Sequence, residues 1–229
     1  MTTENIRTRI KICGITREQD LDAAVHAGAD AIGFVLYPKS PRYVSPERAA
    51  ELANRLPPFV TPVLLFVNED AANIAAACAT IPSALLQFHG DETPTQCSTA
   101  AALAGRRFLR AARIPTGDEG ASFDLVKYAQ DYSNAQAILL DAMVDGYGGG
   151  GKTFNWSLLP PNVNCQLVLS GGLDAANVID AVLALRSRCS ALAVDVSSGV
   201  EMDGPGNKGI KSADKIHQFI AAVRRADAL

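Results

Sequence analysis

Arg9-Ile10-Lys11-Ile12-Cys13-Gly14-Ile15-Thr16 is the stretch of sequence from which the fold can be predicted. Its apolar residues indicate a buried strand that ends at Cys13. Gly14 allows a sharp turn, and Thr16 with Gln19 three residues later has the form of a capping box that starts a helix. We therefore predict that Cys13 lies at the carboxyl end of a strand, the edge at which parallel α/β folds build their active sites.

Seven further apolar runs of strand length follow, separated by segments of helical character. These predicted strands cover 31–37, 62–67, 84–88, 108–112, 137–140, 166–169 and 191–196. Because they are continuous apolar runs, both of their faces are expected to be covered, which is typical of a parallel sheet. Eight such units in 229 residues predict a single (β/α)8 barrel domain over 1–229, and an open doubly wound sheet is the alternative.

Particular residues are predicted to begin the helices between these strands. Ser45-Pro46 has the form of an N-cap followed by a first-turn proline, and Thr93 is a second predicted cap. Asp174 is predicted to cap the helix after the seventh strand. Ile210 is the first residue that we assign to the apolar face of the last helix.

Composition and charge limit the classes of function. Hydrophobic residues make up 48% and charged residues 20% of the chain, which is typical of a soluble globular protein. The net charge of −3 does not indicate a nucleic-acid surface. No apolar run approaches the roughly 20 residues that a membrane span needs, and the amino terminus lacks the apolar core of a signal peptide. We therefore expect a cytoplasmic protein without membrane or nucleic-acid partners.

The five cysteines argue against two further classes. They stand at positions 13, 78, 97, 165 and 189, are odd in number and form no C-x-x-C pair. This spacing disfavours both a disulfide framework and a structural zinc site, so we expect no metal.

Gly146-Tyr147-Gly148-Gly149-Gly150-Gly151-Lys152-Thr153 matches the P-loop pattern letter for letter. A P-loop needs a helix that begins at the lysine, so that backbone amides and the helix dipole surround the phosphates. Pro160-Pro161 follows too soon after Lys152 to leave room for such a helix. We therefore predict a glycine loop over an active site, in which Lys152 is either solvated or holds the loop closed.

Glycines and serines follow the seventh and eighth predicted strands, in Ser170-Gly171-Gly172 and Ser197-Ser198-Gly199. In barrels, these two loops commonly present backbone N–H groups to a phosphate, and glycine allows the backbone to approach closely. Turn formation alone is the alternative explanation. The occurrence of the pattern in both loops favours phosphate binding by Gly171, Gly172, Ser197, Ser198 and Gly199.

Other polar residues at strand ends have two explanations each. Arg42, in a loop bracketed by prolines, either binds a carboxylate through its planar fork or is a solvated surface residue. Asp141 ends an apolar strand with no strong helix nearby to cap. His89 is more often a satisfied core residue than a catalyst. Asp195 either binds a sugar hydroxyl or braces the following loop. Cys13 alone is more often a small buried hydrophobe than a catalyst.

These residues and their neighbours resemble the phosphoribosylanthranilate isomerase family along nearly the whole chain. The matching segments, in the family's order, are 11–16, 33–35, 40–42, 86–90, 139–141, 151–156, 169–173 and 195–201. Three positions depart from the family pattern, with Phe88 for a usual leucine, Asn155 for a usual aspartate and Gly150 for threonine or serine. The catalytic positions are unaffected by these departures.

The resemblance implies a (β/α)8 barrel that catalyses the Amadori rearrangement of N-(5-phospho-β-D-ribosyl)anthranilate in tryptophan biosynthesis. It implies that Asp141 is the general acid that protonates the furanose oxygen and that Cys13 is the general base that removes the C2 proton. It places Arg42 against the anthranilate carboxylate, and we add His89 and Asp195 to the expected substrate-binding residues. No cofactor is expected, because the substrate's own nitrogen is the electron sink.

The expected partner is a small phosphorylated substrate, and the chain is expected to be a monomer or a homodimer. Two other functions stay open at the level of the sequence. One is a different sugar-phosphate isomerase or synthase on the same barrel, against which the pairing of Cys13 with Asp141 argues. The other is a non-catalytic barrel that binds a phosphorylated ligand, against which the intact acid and base positions argue.

Overall fold

Eight parallel strands form a closed ring in the computed structural model, which describes residues 7–115, 122–143, 160, 163, 165–186, 188 and 191–229. The strands are β1 (Arg9–Cys13), β2 (Ala31–Val35), β3 (Thr61–Phe66), β4 (Leu85–Phe88), β5 (Phe108–Ile114), β6 (Ala137–Ala142), β7 (Leu167–Leu169) and β8 (Leu192–Val196). Each strand pairs with the next, and β8 pairs with β1. The predicted barrel is confirmed and the open sheet is wrong, whereas the assignment of 1–229 to one domain stays a prediction.

Helices follow the strands on the outside of the ring. They are α1 (Glu18–Ala27), α2 (Pro46–Ala53), α3 (Ala71–Thr80), α4 (Pro94–Ala104), α5 (Leu125–Asp131), α6 (Val178–Arg186) and α7 (Ala213–Asp227). None of these described helices has the length and apolar character needed to cross a lipid bilayer. The predicted glycine loop at 146–151, Lys152 and the helical turn predicted at 156–159 lie outside the described residues.

Two of the predicted helix caps are confirmed. The Ser45 side chain accepts a hydrogen bond from the Arg48 backbone N–H, with Pro46 in the first turn. Thr93 and Gln96 form a reciprocal capping box at the start of α4. Such caps satisfy backbone N–H groups that have no partner inside the helix.

Two predicted helix boundaries are wrong, and a third is shifted by one turn. Thr16 does not cap α1, which begins at Glu18, because an ion pair between Arg17 and the buried Asp20 (2.6 Å) fixes the chain there instead. Asp174 makes the predicted capping contacts, since its side chain accepts from the Ala176 and Asn177 backbone N–H groups. The helix α6 itself begins one turn later, at Val178. Ile210 precedes α7, which begins at Ala213.

The two faces of each strand have different neighbours. Because successive side chains point to opposite faces, Ile10 and Ile12 of β1 pack into the large core between strands and helices. Lys11 and Cys13 therefore face the barrel interior. The lower interior is apolar and is filled by Leu109, Ala111, Ala137, Leu139 and Val168. The polar residues on the inner face lie toward the carboxyl ends of the strands, where barrel active sites are built.

Hydrogen bonds tie the two ends of the described chain together beside the β1–β8 pair. The Thr8 backbone N–H (3.1 Å) and hydroxyl (2.6 Å) both donate to Asp227 at the end of α7. Arg224 donates to the Thr8 carbonyl (2.8 Å) and to Asp227 (3.0 Å). The last helix thereby holds the first strand at the position where the ring closes.

Candidate active site

Two buried polar clusters occupy the carboxyl end of the barrel interior. We call Lys11, Cys13 and Asp195 the β1–β8 cluster, and Gln87, His89 and Asp141 the β4–β6 cluster. All six side chains belong to residues that are at most 5% exposed. The strand-end positions predicted from the sequence are thus brought to one edge of the ring, together with Lys11 and Gln87, which were not predicted.

In the β1–β8 cluster, an ion pair lies beside the thiol. Lys11 Nζ donates to Asp195 Oδ1 at 2.8 Å, with both side chains buried. Burial raises the pKa of Cys13 above its ordinary value, and the nearby Lys11 ammonium opposes this rise. Since desolvation has the larger effect, the thiol of the free protein is neutral near pH 7. Asp195 is bonded to Lys11, so its predicted contact with a sugar hydroxyl stays a prediction.

Gly33 on β2 gives this cluster its space. A Cβ atom at position 33 would lie 2.7 Å from Cys13 Sγ and 3.0 Å from Lys11 Nζ. Both distances are too short for an unstrained contact, so a larger residue would displace the thiol or the ammonium.

We expect Gly33→Ala to lower kcat by about 10-fold or more, because the added methyl group moves the thiol from its position in the site. The backbone at this strand position needs no positive φ, so the barrel is expected to stay folded. Steady-state kinetics with the thermal midpoint of unfolding as a parallel measurement test this. A variant with full kcat would show that the position of Cys13 does not matter.

In the β4–β6 cluster, three side chains form a hydrogen-bonded chain. Gln87 Nε2 lies 3.0 Å from His89 Nδ1, and His89 Nε2 lies 2.9 Å from Asp141 Oδ2. Both ring nitrogens of His89 are therefore bonded to protein groups, and the predicted contact of His89 with substrate stays a prediction. The β7 loop packs against the carboxyl group, since a Cβ atom at Gly171 would lie 3.1 Å from Asp141 Oδ1.

Arg42 is buried in a third group of charges. Its Nε and Nη2 atoms donate to the two carboxylate oxygens of Glu201 at 2.7 and 3.1 Å, a bidentate pair. Gly14 makes room for this arginine, because a Cβ atom there would lie 2.5 Å from Arg42 Cδ. The interpretation of Arg42 as a solvated surface residue is wrong, since it is 5% exposed.

Lys211 joins Glu201 to the loop after β8. Its Nζ donates to the Ser197 carbonyl (2.9 Å), the Ser197 hydroxyl (3.2 Å) and Glu201 Oε1 (3.2 Å). Burial lowers the pKa of Lys211 from 10.5 to about 8, although the Glu201 carboxylate opposes this shift. Keeping the buried Lys211 amine protonated therefore costs free energy in the folded state.

This shift predicts the sign of a pH dependence. Between about pH 8 and 10.5 the unfolded chain binds the Lys211 proton more tightly than the folded chain, so the contribution of Lys211 to stability rises with pH. We compare Cys13→Ala with the double variant that also carries Lys211→Met, so that the Cys13 thiol does not titrate. Between about pH 8 and 10.5, the unfolding free energy of Cys13→Ala should rise relative to that of the double variant, by up to about 1.4 kcal/mol per pH unit. A flat difference would contradict the shift.

The two predicted phosphate loops lie on adjacent strands and contact each other. Gly171 and Gly172, after β7, have φ values of 77° and 65°, a region that favours glycine. Gly199, after β8, packs so tightly on the Leu173 carbonyl that a Cβ atom there would clash. Asn177 Nδ2 donates to the Gly172 carbonyl at 2.9 Å and holds the first loop. Phosphate binding by these loops stays a prediction.

In the part of the chain that the structure describes, no three His, Cys, Asp or Glu side chains are grouped so that they could hold a metal ion. The buried ionisable side chains at this edge include the thiol of Cys13, the carboxyl groups of Asp141, Asp195 and Glu201, and the cations Lys11, Arg42 and Lys211.

Comparisons with known proteins agree along the whole barrel. The family model described as N-(5'phosphoribosyl)anthranilate (PRA) isomerase matches residues 10–222. The chain is 61% identical over 223 residues to the N-(5'-phosphoribosyl)anthranilate isomerase of Methylibium petroleiphilum, covering 97% of both chains. It is 57% identical over 222 residues to that of Dechloromonas aromatica, covering 97% of this chain and 99% of the relative.

Solved structures give the same result. The crystal structure of phosphoribosyl anthranilate isomerase from Thermotoga maritima has a TM-score of 0.80 at 39% identity, covering 95% of this chain and 99% of that one. A phosphoribosyl anthranilate isomerase in complex with reduced 1-(o-carboxyphenylamino)-1-deoxyribulose 5-phosphate has a TM-score of 0.76 at 36% identity, with the same coverage. The resemblance found in the sequence is thus confirmed, and this chain belongs to the N-(5'-phosphoribosyl)anthranilate isomerase family.

Proposed function

We propose that this protein catalyses the Amadori rearrangement of N-(5'-phosphoribosyl)anthranilate to 1-(o-carboxyphenylamino)-1-deoxyribulose 5-phosphate. Family membership over residues 10–222 supports the reaction, and a relative binds the reduced form of this product. The observation that carries the assignment of roles is that Cys13 and Asp141, both buried, lie at the carboxyl ends of β1 and β6, on the same edge of one closed barrel.

Asp141 acts first, as the general acid. It donates a proton to the furanose ring oxygen, the bond from that oxygen to C1 breaks, and the nitrogen lone pair forms the C1=N bond of an iminium ion. His89 and the Gly171 loop shield this carboxyl group from water. A shielded carboxyl group is suited to donate its proton to a weakly basic ether oxygen.

Cys13 acts second, as the general base. Burial keeps most of the thiol neutral in the free protein, so the base is the minor thiolate form. This thiolate removes the proton from C2, and the electrons of that C–H bond form an enolamine while the iminium nitrogen becomes neutral. The enolamine then tautomerises to the ketone, so no outside oxidant or reductant takes part. Lys11, paired with Asp195 beside the thiol, lowers the free-energy cost of forming the thiolate, although burial has the larger effect on the pKa of Cys13.

Arg42 offers one remaining edge to the substrate carboxylate. Glu201 occupies the Nε–Nη2 edge of the guanidinium group, which leaves the Nη1–Nη2 edge as the one suited to a second bidentate pair. Glu201 would thereby orient Arg42 instead of competing with the substrate. The phosphate is assigned to Gly171, Gly172, Ser197, Ser198 and Gly199 at the ends of β7 and β8.

Arg42→Ala is expected to weaken substrate binding by about 1.5 to 3 kcal/mol, the range for a charge-assisted hydrogen bond. The affinity of the reduced product and of an analogue without its carboxylate is measured for both proteins. The loss should be much smaller for the analogue. Since the change also leaves Glu201 with only Lys211 as a charged partner among the described residues, Arg42→Lys serves as the control that keeps the charge but loses the fork. Equal losses with both compounds would show that Arg42 acts elsewhere.

The function is tested with freshly prepared N-(5'-phosphoribosyl)anthranilate, whose anthranilate-type fluorescence disappears on rearrangement. Saturable turnover supports the proposal. Turnover of another sugar phosphate in its place would identify a different isomerase on the same barrel. Tight binding of the reduced product without turnover would identify a non-catalytic barrel.

The proposed oligomeric state is a monomer or a homodimer. A dimeric relative from Thermotoga maritima has also been crystallised as generated monomers, at 35% identity and a TM-score of 0.76. Light scattering of the purified chain over a range of concentrations distinguishes the two states.

A further inference from the structure

Gln87 is a buried polar residue for which the mechanism so far has no role. It lies in the middle of β4 and is 0% exposed. Its register neighbours on β3 and β5 are the apolar residues Leu65 and Leu109. Burying a primary amide among such side chains is unfavourable unless the amide is hydrogen-bonded. Among the described residues, Oε1 of Gln87 has no hydrogen-bond partner, so the amide is held there by its contact with His89 alone.

The direction of that contact determines the proton on His89. An amide nitrogen donates and does not accept, so Gln87 Nε2 donates to His89 Nδ1 across 3.0 Å. Nδ1 is then the unprotonated nitrogen, and Nε2 carries the hydrogen and donates it to Asp141 Oδ2 across 2.9 Å. In the opposite tautomer, Nε2 would be an acceptor and would draw the proton of Asp141 toward itself.

We propose that Gln87 is a positioning residue that holds His89 in its Nε2–H tautomer, so that the transferable proton of Asp141 stays on Oδ1. This inference rests on the proposed function, in which Asp141 is the acid. With Oδ2 occupied by the histidine N–H, Oδ1 is the oxygen free to carry the proton, and it lies at the β7 loop beside Gly171. The chain of three groups therefore keeps the acid directed toward the substrate before the substrate arrives.

Two variants separate the donor function from the packing of this side chain. Gln87→Met keeps the length of the side chain but removes the donor. Gln87→Glu replaces the donor by an acceptor, which favours a proton on Nδ1 and so the imidazolium form of His89 beside an ionised Asp141. Leu109→Met is the control, since Leu109 pairs in register with Gln87 and faces the same layer of the barrel interior.

The tautomer is read directly from the imidazole nitrogen signals in NMR spectra of the ligand-free protein. The chain has three histidines, of which His26 and His217 are exposed, so the His89 signals are readily assigned. The wild type should show a neutral ring protonated at Nε2, and Gln87→Met should show a mixture of tautomers. A wild-type ring protonated at Nδ1 would overturn the proposal without any measurement of activity.

Kinetics provide the second measurement. Gln87→Met should lower kcat by about 10-fold, with KM changed less than about 2-fold, because the acid and not the binding groups is affected. In Gln87→Glu, the limb of the pH profile that Asp141→Asn removes should move to lower pH. Leu109→Met should keep wild-type kcat. Equal loss in Leu109→Met, or full kcat in Gln87→Met with an unchanged tautomer, would overturn the positioning role. Failure of the wild type to turn over the substrate would instead refute the proposed function and leave the NMR result standing.

Discussion

Asp141→Asn is expected to lower kcat by at least about 100-fold, because it removes the proposed general acid, which would donate a proton as the furanose ring opens. The amide is close to the carboxyl group in size, and its oxygen can still accept from His89 Nε2. The barrel and the binding groups should therefore persist. We expect the affinity for the reduced product to stay close to that of the wild type, since the proposed contacts of that ligand lie with Arg42 and the β7 and β8 loops.

Single-turnover fluorescence and titration with the reduced product measure the two quantities separately. Asp22→Asn, which changes an ion-paired carboxylate on α1, controls for the loss of one negative charge. Near wild-type turnover in Asp141→Asn would remove Asp141 from the mechanism. A loss of affinity as large as the loss of kcat would show that Asp141 binds the ligand instead of transferring a proton.

Cys13→Ser is expected to lower kcat by a similar factor, about 100-fold or more. A hydroxyl group ionises far less than a thiol at neutral pH, so the variant has far less of the anionic base. Serine keeps the size of the side chain and its hydrogen bonding, so the change tests basicity and not packing. Cys97→Ala is the matched control, since Cys97 is a fully buried thiol on α4, outside the site. That control should keep wild-type kcat, and a Cys13→Ser protein that did the same would exclude Cys13 as the base.

The ionisation of Cys13 can be followed without substrate. Burial raises the pKa of Cys13 above its ordinary value despite the neighbouring Lys11, so thiolate absorbance in the difference between wild type and Cys13→Ala should be small near pH 7 and grow at alkaline pH. A thiolate already present at pH 7 would mean that Lys11 outweighs burial. The limbs of a bell-shaped pH profile cannot be assigned from shape alone when an acid and a base titrate in one site, so the variants must assign them.

The barrel was predictable because its signal is local and repeated. Eight apolar runs of strand length, with helices between them, require both faces of the sheet to be covered. Helix starts were predicted less well. Thr16 has the form of a cap, but α1 begins at Glu18, where Arg17 and Asp20 form an ion pair. Asp20 also accepts from the Lys211 backbone N–H, 191 residues away, and no local pattern reveals that contact.

In the candidate site, too, some residues were predictable from the local sequence and others were not. Cys13, His89 and Asp141 were predicted because each follows or ends an apolar strand. Lys11 and Gln87 were missed, although a polar residue at an inward position of an apolar strand is itself a signal that could have been used. The pairing of Arg42 with Glu201 spans 159 residues, and only the folded chain shows that these charges meet.

The closure of the ring between β1 and β8 has a consequence for protein synthesis. Lys11 leaves the ribosome well before Asp195, its partner, which is 184 residues further along the chain. A nascent polypeptide that stops before β8 would have to bury an unpaired ammonium group or leave it in water, and it would expose the unpaired edges of β1 and β7. The β1–β8 cluster is therefore among the last parts of the molecule to form, because it needs both the first and the last strand.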